Sequence, residues 1–326
     1  MSAERFIVTG GAGFIGSNLV AALNARGHDN ILVVDHFNHP EKQRNLESLR
    51  IRQHLDRDEF RQALRAGTLP PPKTVFHLGA CSSTTETNAA YLEDNNVAYT
   101  RELCTWCLAN GVRFIYASSA ATYGDGSLGY SDDDALTPRY RPLNLYGQSK
   151  QTFDLWALAQ NHFTRIVGLK YFNVYGPRED HKGNMRSVVN KAFAQIHDTG
   201  ELCLFKSYLP GYADGEQDRD FIDVRDAVAV TLYFHDNPKV SGLFNCGTGQ
   251  ARTWLDLGRA IFAAMERDPR IRMIDMPESM RDKYQYHTQA DPAKLRRAGY
   301  TAPFTSIEDG VRDYVRNDLE PRWSKV

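Results

Sequence analysis

A tyrosine and a lysine stand four residues apart in the segment Tyr146–Lys150, and a serine pair, Ser118 and Ser119, stands about 27 residues upstream. Residues four apart lie on one face of a helix. A lysine ammonium beside a phenol favours the phenolate, so we expect the pKa of Tyr146 to fall toward neutral pH. With Lys150 and the Ser119 hydroxyl, Tyr146 could move a proton on or off a hydroxyl while hydride leaves its carbon. A chain with 16 tyrosines contains about one such spacing by accident, so the surrounding elements must decide.

The first of those elements is a strand, glycine turn, helix and strand at the start of the chain. Arg5–Thr9 reads as a buried strand, Gly10–Gly16 is glycine-rich, and a helix is predicted from about Ser17 to Ala25. A second strand, Ile31–Val34, ends at Asp35, which is placed to bond an adenosine ribose. The glycines allow backbone to approach a pyrophosphate, and the helix N-terminus faces it with free N–H groups. This context predicts a dinucleotide-binding site.

The choice between NAD and NADP stays open from the residues. Asp35 favours NAD, because a carboxylate bonds the ribose hydroxyls. Lys42, Arg44 and Arg57 follow in a polar stretch that is either a solvated surface or a basic collar for a 2′-phosphate.

Further strands are predicted to bring their carboxyl ends to the same edge of one sheet. Thr74–His77 is followed by Leu78–Ser82, at the position where open α/β sheets bind ligands. Asp94–Asn96 opens or punctuates a helix, and Arg113–Ala117 is a strand that delivers Ser118 and Ser119. A helix from Tyr146 to about Gln160 completes the set. We therefore predict an α/β fold: a Rossmann-type doubly wound parallel sheet with a smaller C-terminal substrate-binding domain.

The length of 326 residues suggests about two domains, or one large α/β domain with a cap, and the composition is that of an ordinary soluble globular protein. We predict a dinucleotide-binding domain over residues 1–170 with returning segments at about 221–265, and a substrate-binding domain over 171–220 and 266–326. The 42% apolar content and net charge of −1 do not suggest a nucleic-acid or membrane partner. The start of the chain leads directly into a strand, so no signal peptide is expected, and the predicted location is the cytoplasm.

Cysteines and clustered acids suggest neither disulfides nor a metal. Five scattered cysteines do not suggest a disulfide framework, and Cys104 and Cys107 are predicted to be buried thiols within a helix. The acidic run Asp132–Asp134 lacks metal-ligand spacing and is predicted to be a solvated loop, so no metal is expected.

The motifs, taken in order, resemble the extended short-chain dehydrogenases/reductases that act on nucleotide sugars. The shared motifs are Thr9–Gly16, Ser118-Ser119, Tyr146-x-x-x-Lys150, Arg219–Phe221 and Asn245–Gly249. A second set is similar to the ADP-L-glycero-D-manno-heptose 6-epimerase branch of that family, nearly from end to end. That set is Gly79–Glu86, Tyr116–Gly124, Tyr171–Arg178, His181–Gly183, Tyr284 and Thr288–Asp291.

The resemblance implies a reaction, a cofactor and an assembly. The reaction would invert C6 of ADP-D-glycero-β-D-manno-heptose to its L-glycero epimer, which supplies heptose for the lipopolysaccharide core. It implies tightly bound NADP, with NAD as the alternative, and a homo-oligomer, a pentamer in the family.

Together, the fingerprint and the resemblance assign residues to the site. Cofactor contacts are expected at Gly10, Gly13, Phe14, Ile15, Gly16, Asp35, His36, Lys42, Arg57, Leu78, Gly79, Ala80, Cys81, Ser82, Asn95, Lys150 and Val174. Substrate contacts are expected at Ser119, Asn173, Lys182, Asn184, Lys191, Phe205, Lys206, Ser207, Tyr208, Arg219 and Tyr284. Asn184 stands where the family has serine and Lys191 where it has histidine, and the loop over residues 207–217 looks longer, so substrate contacts are expected to differ there.

Inversion of an unactivated carbinol carbon requires transient oxidation to a ketone, because direct deprotonation is not feasible. Rotation near the C5–C6 bond can then present the opposite face, and each face needs a proton donor or acceptor. Tyr146 serves one face, and Lys182 is the candidate for the other if burial lowers its pKa. We therefore expect Tyr146, Lys182, Ser119 and Lys150 to be the catalytic residues.

Three other functions are weighed on the same residues. A sugar 4,6-dehydratase would need an acidic pair where Ala120 and Ala121 stand. A UDP-hexose 4-epimerase of the same fold needs one tyrosine base and would leave Lys182 idle. A catalytically silent NADP-sensing module would commonly lack Tyr146 or Lys150, and both are present.

Overall fold

The computed structural model of the chain describes residues 4–37, 39–281 and 284–323. Its centre is a sheet of seven parallel strands. Among the described residues, the strands in chain order are β1 (Phe6–Thr9), β2 (Ile31–Asp35), β3 (Gln53–Asp56), β4 (Thr74–His77), β5 (Arg113–Ser119), β6 (Val167–Tyr171), β7 (Asn173–Tyr175), β8 (Leu202–Phe205), β9 (Asp218–Asp223), β10 (Gly242–Cys246), β11 (Ala251–Thr253) and β12 (Ile271–Ile274). The spatial order in the central sheet is β10-β6-β5-β4-β1-β2-β3.

Helices cover both faces of the central sheet. The helices are α1 (Phe14–Ala25), α2 (Pro40–Arg44), α3 (Arg57–Arg65), α4 (Ala89–Leu92), α5 (Tyr99–Ala109), α6 (Leu145–Ala159), α7 (Val188–Thr199), α8 (Val224–Asp236), α9 (Trp254–Ala264), α10 (Glu278–Arg281), α11 (Ala293–Arg297), α12 (Ile307–Tyr314) and α13 (Glu320–Trp323). Two π-helical segments, Glu93–Ala98 and Val315–Leu319, join α4 to α5 and α12 to α13. Short 3₁₀ turns lie at Ala120–Tyr123, Thr137–Arg139, His162–Thr164 and Asp180–Met185.

Two apolar layers hold the helices against this sheet. One layer joins β1, β2 and β6 to α1 and α8 through residues such as Val8, Leu19 and Val230. The other joins the opposite face to α3, α5 and α6 through Phe60, Leu103 and Phe153. Strands buried on both faces explain the nearly continuous apolar runs in the sequence. The structure confirms the predicted Rossmann-type fold.

A third core lies beyond the central sheet. It packs α7, α9 and α12 around Phe193, Ile261 and Val311, and two small sheets flank it, β11-β9-β7 and the parallel pair β12-β8. The helix α9 falls within the segment 221–265 that we assigned to the dinucleotide domain, although its buried face packs in this third core. The predicted division of the chain into two domains stays a prediction.

Several elements were not predicted, although α3 and α7 each bury an apolar face. The strand β3 is half-buried or exposed along its length, because it forms one edge of the central sheet. The helices α2 and α3 occupy the stretch that we described only as polar. The helix α7 lies in a stretch to which we assigned no element.

Two of the minor expectations have different outcomes. Cys104 and Cys107 are buried free thiols, as predicted, and burial raises the pKa of Cys104 to about 12. The expectation of a solvated Asp132–Asp134 loop was wrong for Asp132, whose buried carboxylate accepts the Asn245 N–H at 2.8 Å.

Within residues 4–37, 39–281 and 284–323, no helix combines the length and the apolar character that crossing a membrane requires. Residues Met1–Ala3, on which the prediction about a signal peptide partly rested, lie outside the described residues.

Candidate active site

Two turns meet at the carboxyl edge of the central sheet, one after β1 and one after β4. Gly10 has a φ of +66°, and a Cβ there would lie 2.6 Å from the Gly79 nitrogen. A Cβ on Gly16, at the start of α1, would lie 2.1 Å from the Gly10 carbonyl oxygen. These distances exclude any side chain, so the backbone itself forms the wall at the N-terminus of α1. Such a wall fits the pyrophosphate of a dinucleotide, which accepts hydrogen bonds from free N–H groups.

A cleft of about 490 Å³ opens beside this wall and collects most of the predicted residues. Its lining includes Gly10, Gly13, Phe14, Ile15, Gly16, Asp35, Lys42, Leu78, Gly79, Ala80, Cys81, Ser82, Ser119, Tyr146, Lys150, Val174 and Lys182. The carboxyl ends of β1, β2, β4 and β5, the helices α1, α2 and α6, the strand β7 and the turn at Lys182 deliver these residues from segments far apart in the sequence. The proposed acid–base residues and the glycine wall therefore share one cavity.

The Tyr146 side chain lies in this cleft beside Ser119, at the start of α6. Asn144 caps this helix by accepting the Gly147 N–H at 2.8 Å, which fixes the turn that carries Tyr146. Burial raises the pKa of Tyr146, and hydrogen bonding with the Ser119 hydroxyl opposes this shift. Our expectation of a lowered pKa for Tyr146 was therefore wrong, because desolvation of the phenolate dominates.

Lys150 lies one turn further along α6 and is buried. Its Nζ donates to the Ala117 carbonyl oxygen at 3.0 Å, which ties the helix to β5. Burial lowers the pKa of Lys150 to about 8, and the Asp154 carboxylate opposes that shift. The lysine is directed to the strand end that also carries Ser118 and Ser119.

Lys182 enters the same cleft from a separate segment, the 3₁₀ turn Asp180–Met185. Its Nζ lies 5.4 Å from the centre of the Phe14 ring, beside the glycine wall. Burial lowers the pKa of Lys182, and Glu179 opposes the shift. Glu179 is itself fully buried and accepts the Ser187 hydroxyl at 2.6 Å, which anchors the turn. A lowered pKa is the direction that base chemistry at Lys182 requires.

A smaller cavity of about 110 Å³ adjoins the cleft and brings together Asp35, Lys42 and Arg57. Arg44, the third base considered for the adenosine end, is exposed and does not line this cavity. Lys42 donates to the Asp35 carboxylate at 2.7 Å, so each partly neutralises the other. Arg57 donates to the Asn95 side chain and pairs with Asp58 at 2.8 Å. His36 also lines this cavity and contacts Asp56 at 3.0 Å.

Several predicted substrate residues do not line the cleft but form a cluster of their own. Arg219 lies 5.2 Å from the Tyr284 ring and 5.5 Å from the Trp254 ring, and is buried. Tyr208 donates to Asp275 at 2.9 Å and stacks under the Arg281 guanidinium. Phe205, Lys206 and Ser207 lead from β8 into this cluster, and Lys206 also contacts Asp275. We call this set the Arg219 cluster.

The three remaining predicted substrate residues lie on the Lys182 side. Asn173 begins β7 and is exposed, next to Val174 of the cleft. The Lys191 Nζ donates to the Asn184 carbonyl oxygen at 3.3 Å. The two positions that depart from the family pattern thus contact each other.

Sequence reasoning missed His181, which lines the cleft, and Asn96, which supports the cleft residue Cys81. His181 lines the cleft, accompanies Lys182 in the His-Lys-Gly motif, and has its pKa lowered to about 4 by burial. Asn96 is buried in the π-helical segment, where it bonds both backbone groups of Cys81 and the Ser149 hydroxyl. The Asn95-Asn96 pair in the sequence was the available signal.

The residues that line the cleft lie within a segment that matches a known protein family. Residues 6–247 match the family model described as "NAD dependent epimerase/dehydratase family". This span covers every strand of the central sheet and all the residues that line the cleft.

Named relatives and solved structures give a narrower match. A protein of Nitratidesulfovibrio vulgaris (strain DP4), named ADP-L-glycero-D-manno-heptose-6-epimerase, is 55% identical over 96% of this chain and 98% of its own length. The crystal structure of Helicobacter pylori ADP-L-glycero-D-manno-heptose-6-epimerase superposes with a TM-score of 0.81 at 28% identity, covering 96% of both chains. Thermus thermophilus UDP-glucose 4-epimerase, solved with NAD, gives a TM-score of 0.75 at 27% identity, covering 95% of this chain and 97% of its own.

The pH dependence of stability should reveal the buried Lys150. Its folded pKa of about 8 lies below the ordinary value of 10.5, so the unfolded chain holds this proton more tightly between those pH values. Stability rises with pH wherever the unfolded state binds more protons. The unfavourable contribution of the buried charge is therefore fully present below about pH 8 and is relieved toward pH 10.5. We expect wild type to gain unfolding free energy relative to Lys150→Met across that window, measured by denaturant unfolding.

Lys239→Met is the matched control, because Lys239 is exposed. Its difference from wild type should stay constant over the same window. A constant difference for Lys150→Met as well would contradict the buried, proton-releasing lysine.

Proposed function

This chain belongs to the NAD dependent epimerase/dehydratase family and, within it, to the ADP-L-glycero-D-manno-heptose-6-epimerases, and we propose that it inverts C6 of ADP-D-glycero-β-D-manno-heptose. The product is the L-glycero epimer, used in building the heptose of the lipopolysaccharide core. The enzyme is an isomerase that uses a nicotinamide cofactor and a nucleotide-sugar substrate.

One observation carries the proposal: Tyr146 and Lys182 line the same cleft from separate segments of the chain. A reaction that removes and restores hydrogen at one carbon from opposite faces needs a proton-transfer group for each face. A site with a single tyrosine would serve only a substrate whose ketone rotates within the site, so that its opposite face reaches the same tyrosine in the second half-reaction.

The cofactor site fits a nicotinamide dinucleotide, because only glycines can stand where the backbone of the two turns meets. When bound, that group supplies a reversible acceptor for hydride. Tyr146 would take the proton from the C6 hydroxyl as the ketone forms, with Ser119 holding the oxygen. Lys182 would return a proton to the oxygen when the other face is presented. The pKa values of Lys150 and Lys182 are both lowered. Lys182 can therefore exchange a proton at a pH where an exposed lysine could not.

The Arg219 cluster is proposed as the site of the nucleotide. A buried guanidinium held between Trp254 and Tyr284 offers a cation for phosphate and aromatic faces for a base. The contact between Lys191 and Asn184 would then affect how the sugar is bound, because this chain departs from the family pattern at both positions.

A UDP-hexose 4-epimerase is the second candidate, supported by the structural match to a UDP-glucose 4-epimerase at 27% identity. It would not use Lys182 as a base. The first candidate is favoured by the 55% identity to a named 6-epimerase and by the burial of Lys182 in the cleft.

The cofactor is proposed to be NADP, the assembly a homo-oligomer, a pentamer as in the resembled family, and the location the cytoplasm. Lys42 and Arg57 line the smaller cavity, where the adenosine would bind, and their positive charges support NADP. The ion pair between Lys42 and Asp35 partly neutralises the charge of Lys42. Free, buried thiols are compatible with a reducing compartment.

The direct test is to incubate the purified protein with ADP-D-glycero-β-D-manno-heptose and, separately, with UDP-galactose, and to resolve the epimers. We expect a mixture of both C6 epimers from the first substrate and no change in the second. Conversion of UDP-galactose alone would establish the 4-epimerase instead.

Replacing Lys42 and Arg57 together by Ala should weaken NADP binding more than NAD binding, because both side chains carry positive charge at the adenosine cavity. Loss of two contacts to a charged group corresponds to about 10-fold or more in affinity. Isothermal titration with each cofactor measures it. Arg44→Ala is the control, since Arg44 is exposed on the same short helix. Equal losses for NADP and NAD would rule out reading of the 2′-phosphate by these residues.

Tyr146→Phe and Lys182→Met should each reduce epimerisation by about 10²–10⁴-fold, the usual contribution of positioned proton transfer. Each variant should keep its fold and bound dinucleotide, because neither change alters the glycine wall. Turnover and released cofactor are measured on the same preparations, with Lys239→Met as the lysine control. Near-normal turnover in Lys182→Met would overturn the two-base assignment.

A further inference from the structure

A fully buried carboxylate, Asp154, lies on α6 directly behind the cleft. It accepts the Tyr116 hydroxyl and the Ser118 hydroxyl, each at 2.7 Å. Both donors belong to β5, the strand that ends at Ser119. The carboxylate therefore joins the helix that carries Tyr146 and Lys150 to the strand that carries the catalytic serine.

A fully buried lysine, Lys170 of β6, completes this arrangement. Its Nζ lies 3.4 Å from the Asp154 carboxylate and donates to the Thr122 hydroxyl at 2.6 Å. The Tyr123 ring lies 4.5 Å from the same Nζ. Removing two charges from water is unfavourable, and a well-packed apolar pair of similar volume is often as stable. Stability alone therefore does not account for the pair.

Lys150 stands one helical turn before Asp154, and side chains at that spacing lie on the same face of a helix. The titratable groups facing these two residues are Tyr146 of α6, His77 of β4, Cys81 of the following loop, Tyr116 of β5, Tyr123 of the 3₁₀ turn after β5 and Lys170 of β6. Beyond Lys170 lie Asp132 and Lys294.

Burial makes the neutral form dominant in most of these neighbours. It lowers the pKa of His77 to about 3 and raises the pKa values of Cys81, Tyr116 and Tyr146. Of the groups that face Lys150 in the described part of the chain, Asp154 is thus the one that supplies negative charge.

We propose that Asp154 is a positioning residue that acts through Lys150: its buried carboxylate keeps Lys150 protonated and holds α6 in register with the Ser118–Ser119 strand end. Lys170 lies on the far side of the carboxylate, with its Nζ 3.4 Å from Asp154. The role of Asp154 rests on the proposed function only in one respect, that Lys150 assists proton transfer by Tyr146 during the reaction.

The test uses the full-length protein with its bound cofactor and does not need the sugar. Lysine side chains labelled with ¹³C at Cε are followed by NMR from pH 6 to 11, and Lys150→Arg identifies the Lys150 signal. In Asp154→Asn, which keeps the shape of the side chain, the Lys150 titration midpoint should fall by about one pH unit or more. Lys170→Met alone and Lys239→Met serve as comparisons.

The double variant Asp154→Asn/Lys170→Met separates electrostatics from structure. It contains neither charge of the buried pair, so it should recover the unfolding free energy lost in Asp154→Asn. Its Lys150 midpoint should nevertheless stay low, because the carboxylate is still absent. If Asp154→Asn does not fold, this double variant carries the titration.

Two results would overturn the inference. One is an unchanged Lys150 midpoint in both variants. The other is a double variant that regains the wild-type midpoint together with its stability, since Asp154 would then act only through packing. If the Lys150 midpoint falls in the variants as expected but the wild type does not epimerise ADP-heptose, the proposed function is wrong and the role of Asp154 stands.

Discussion

The contact between the backbone at Gly10 and the backbone at Gly79 is the constraint on which the site depends. It holds the turns after β1 and β4 so close that no side chain fits between them. Because these strands are neighbours in the sheet, the turns form one continuous edge, and α1 starts from it. The cleft, the adenosine cavity and the Phe14 ring beside Lys182 all take their positions from this edge.

The electrostatics of the cleft follow from desolvation. Burial lowers the pKa values of Lys150 and Lys182 and raises that of Tyr146, so all three groups move toward their neutral forms. Opposing charges limit the shift at each lysine: Asp154 at Lys150 and Glu179 at Lys182. Each carboxylate is fully buried and held by hydroxyl donors from neighbouring elements. The two sides of the cleft thus repeat one arrangement, a lysine in the cavity and a carboxylate behind it.

Much of this could be predicted from the sequence because the signals are local. The glycine turn after β1, the acid at the end of β2 and the spacing of Tyr146 and Lys150 each depend on neighbouring residues. The edge strand β3 could not be predicted, since a half-exposed strand has no continuous apolar run. The shift at Tyr146 was predicted in the wrong direction, because spacing places Lys150 nearby but does not show where its Nζ points. Asn96 was missed because its partners, Cys81 and Ser149, are distant in the sequence.

The strand order also has a consequence for how the chain reaches its folded state. The strand β10 pairs with β6 through the register Val167 to Gly242, about 75 residues apart, whereas β1, β2 and β4 pair within a shorter stretch of chain. The entropy lost in closing a longer loop grows only slowly with its length, so the equilibrium is little affected. The rate is more sensitive, because contacts between distant residues slow folding. The glycine wall needs only the first 79 residues of the chain, whereas β10 ends at Cys246, so during synthesis the edge of β6 stays free to pair with other chains until β10 has left the ribosome.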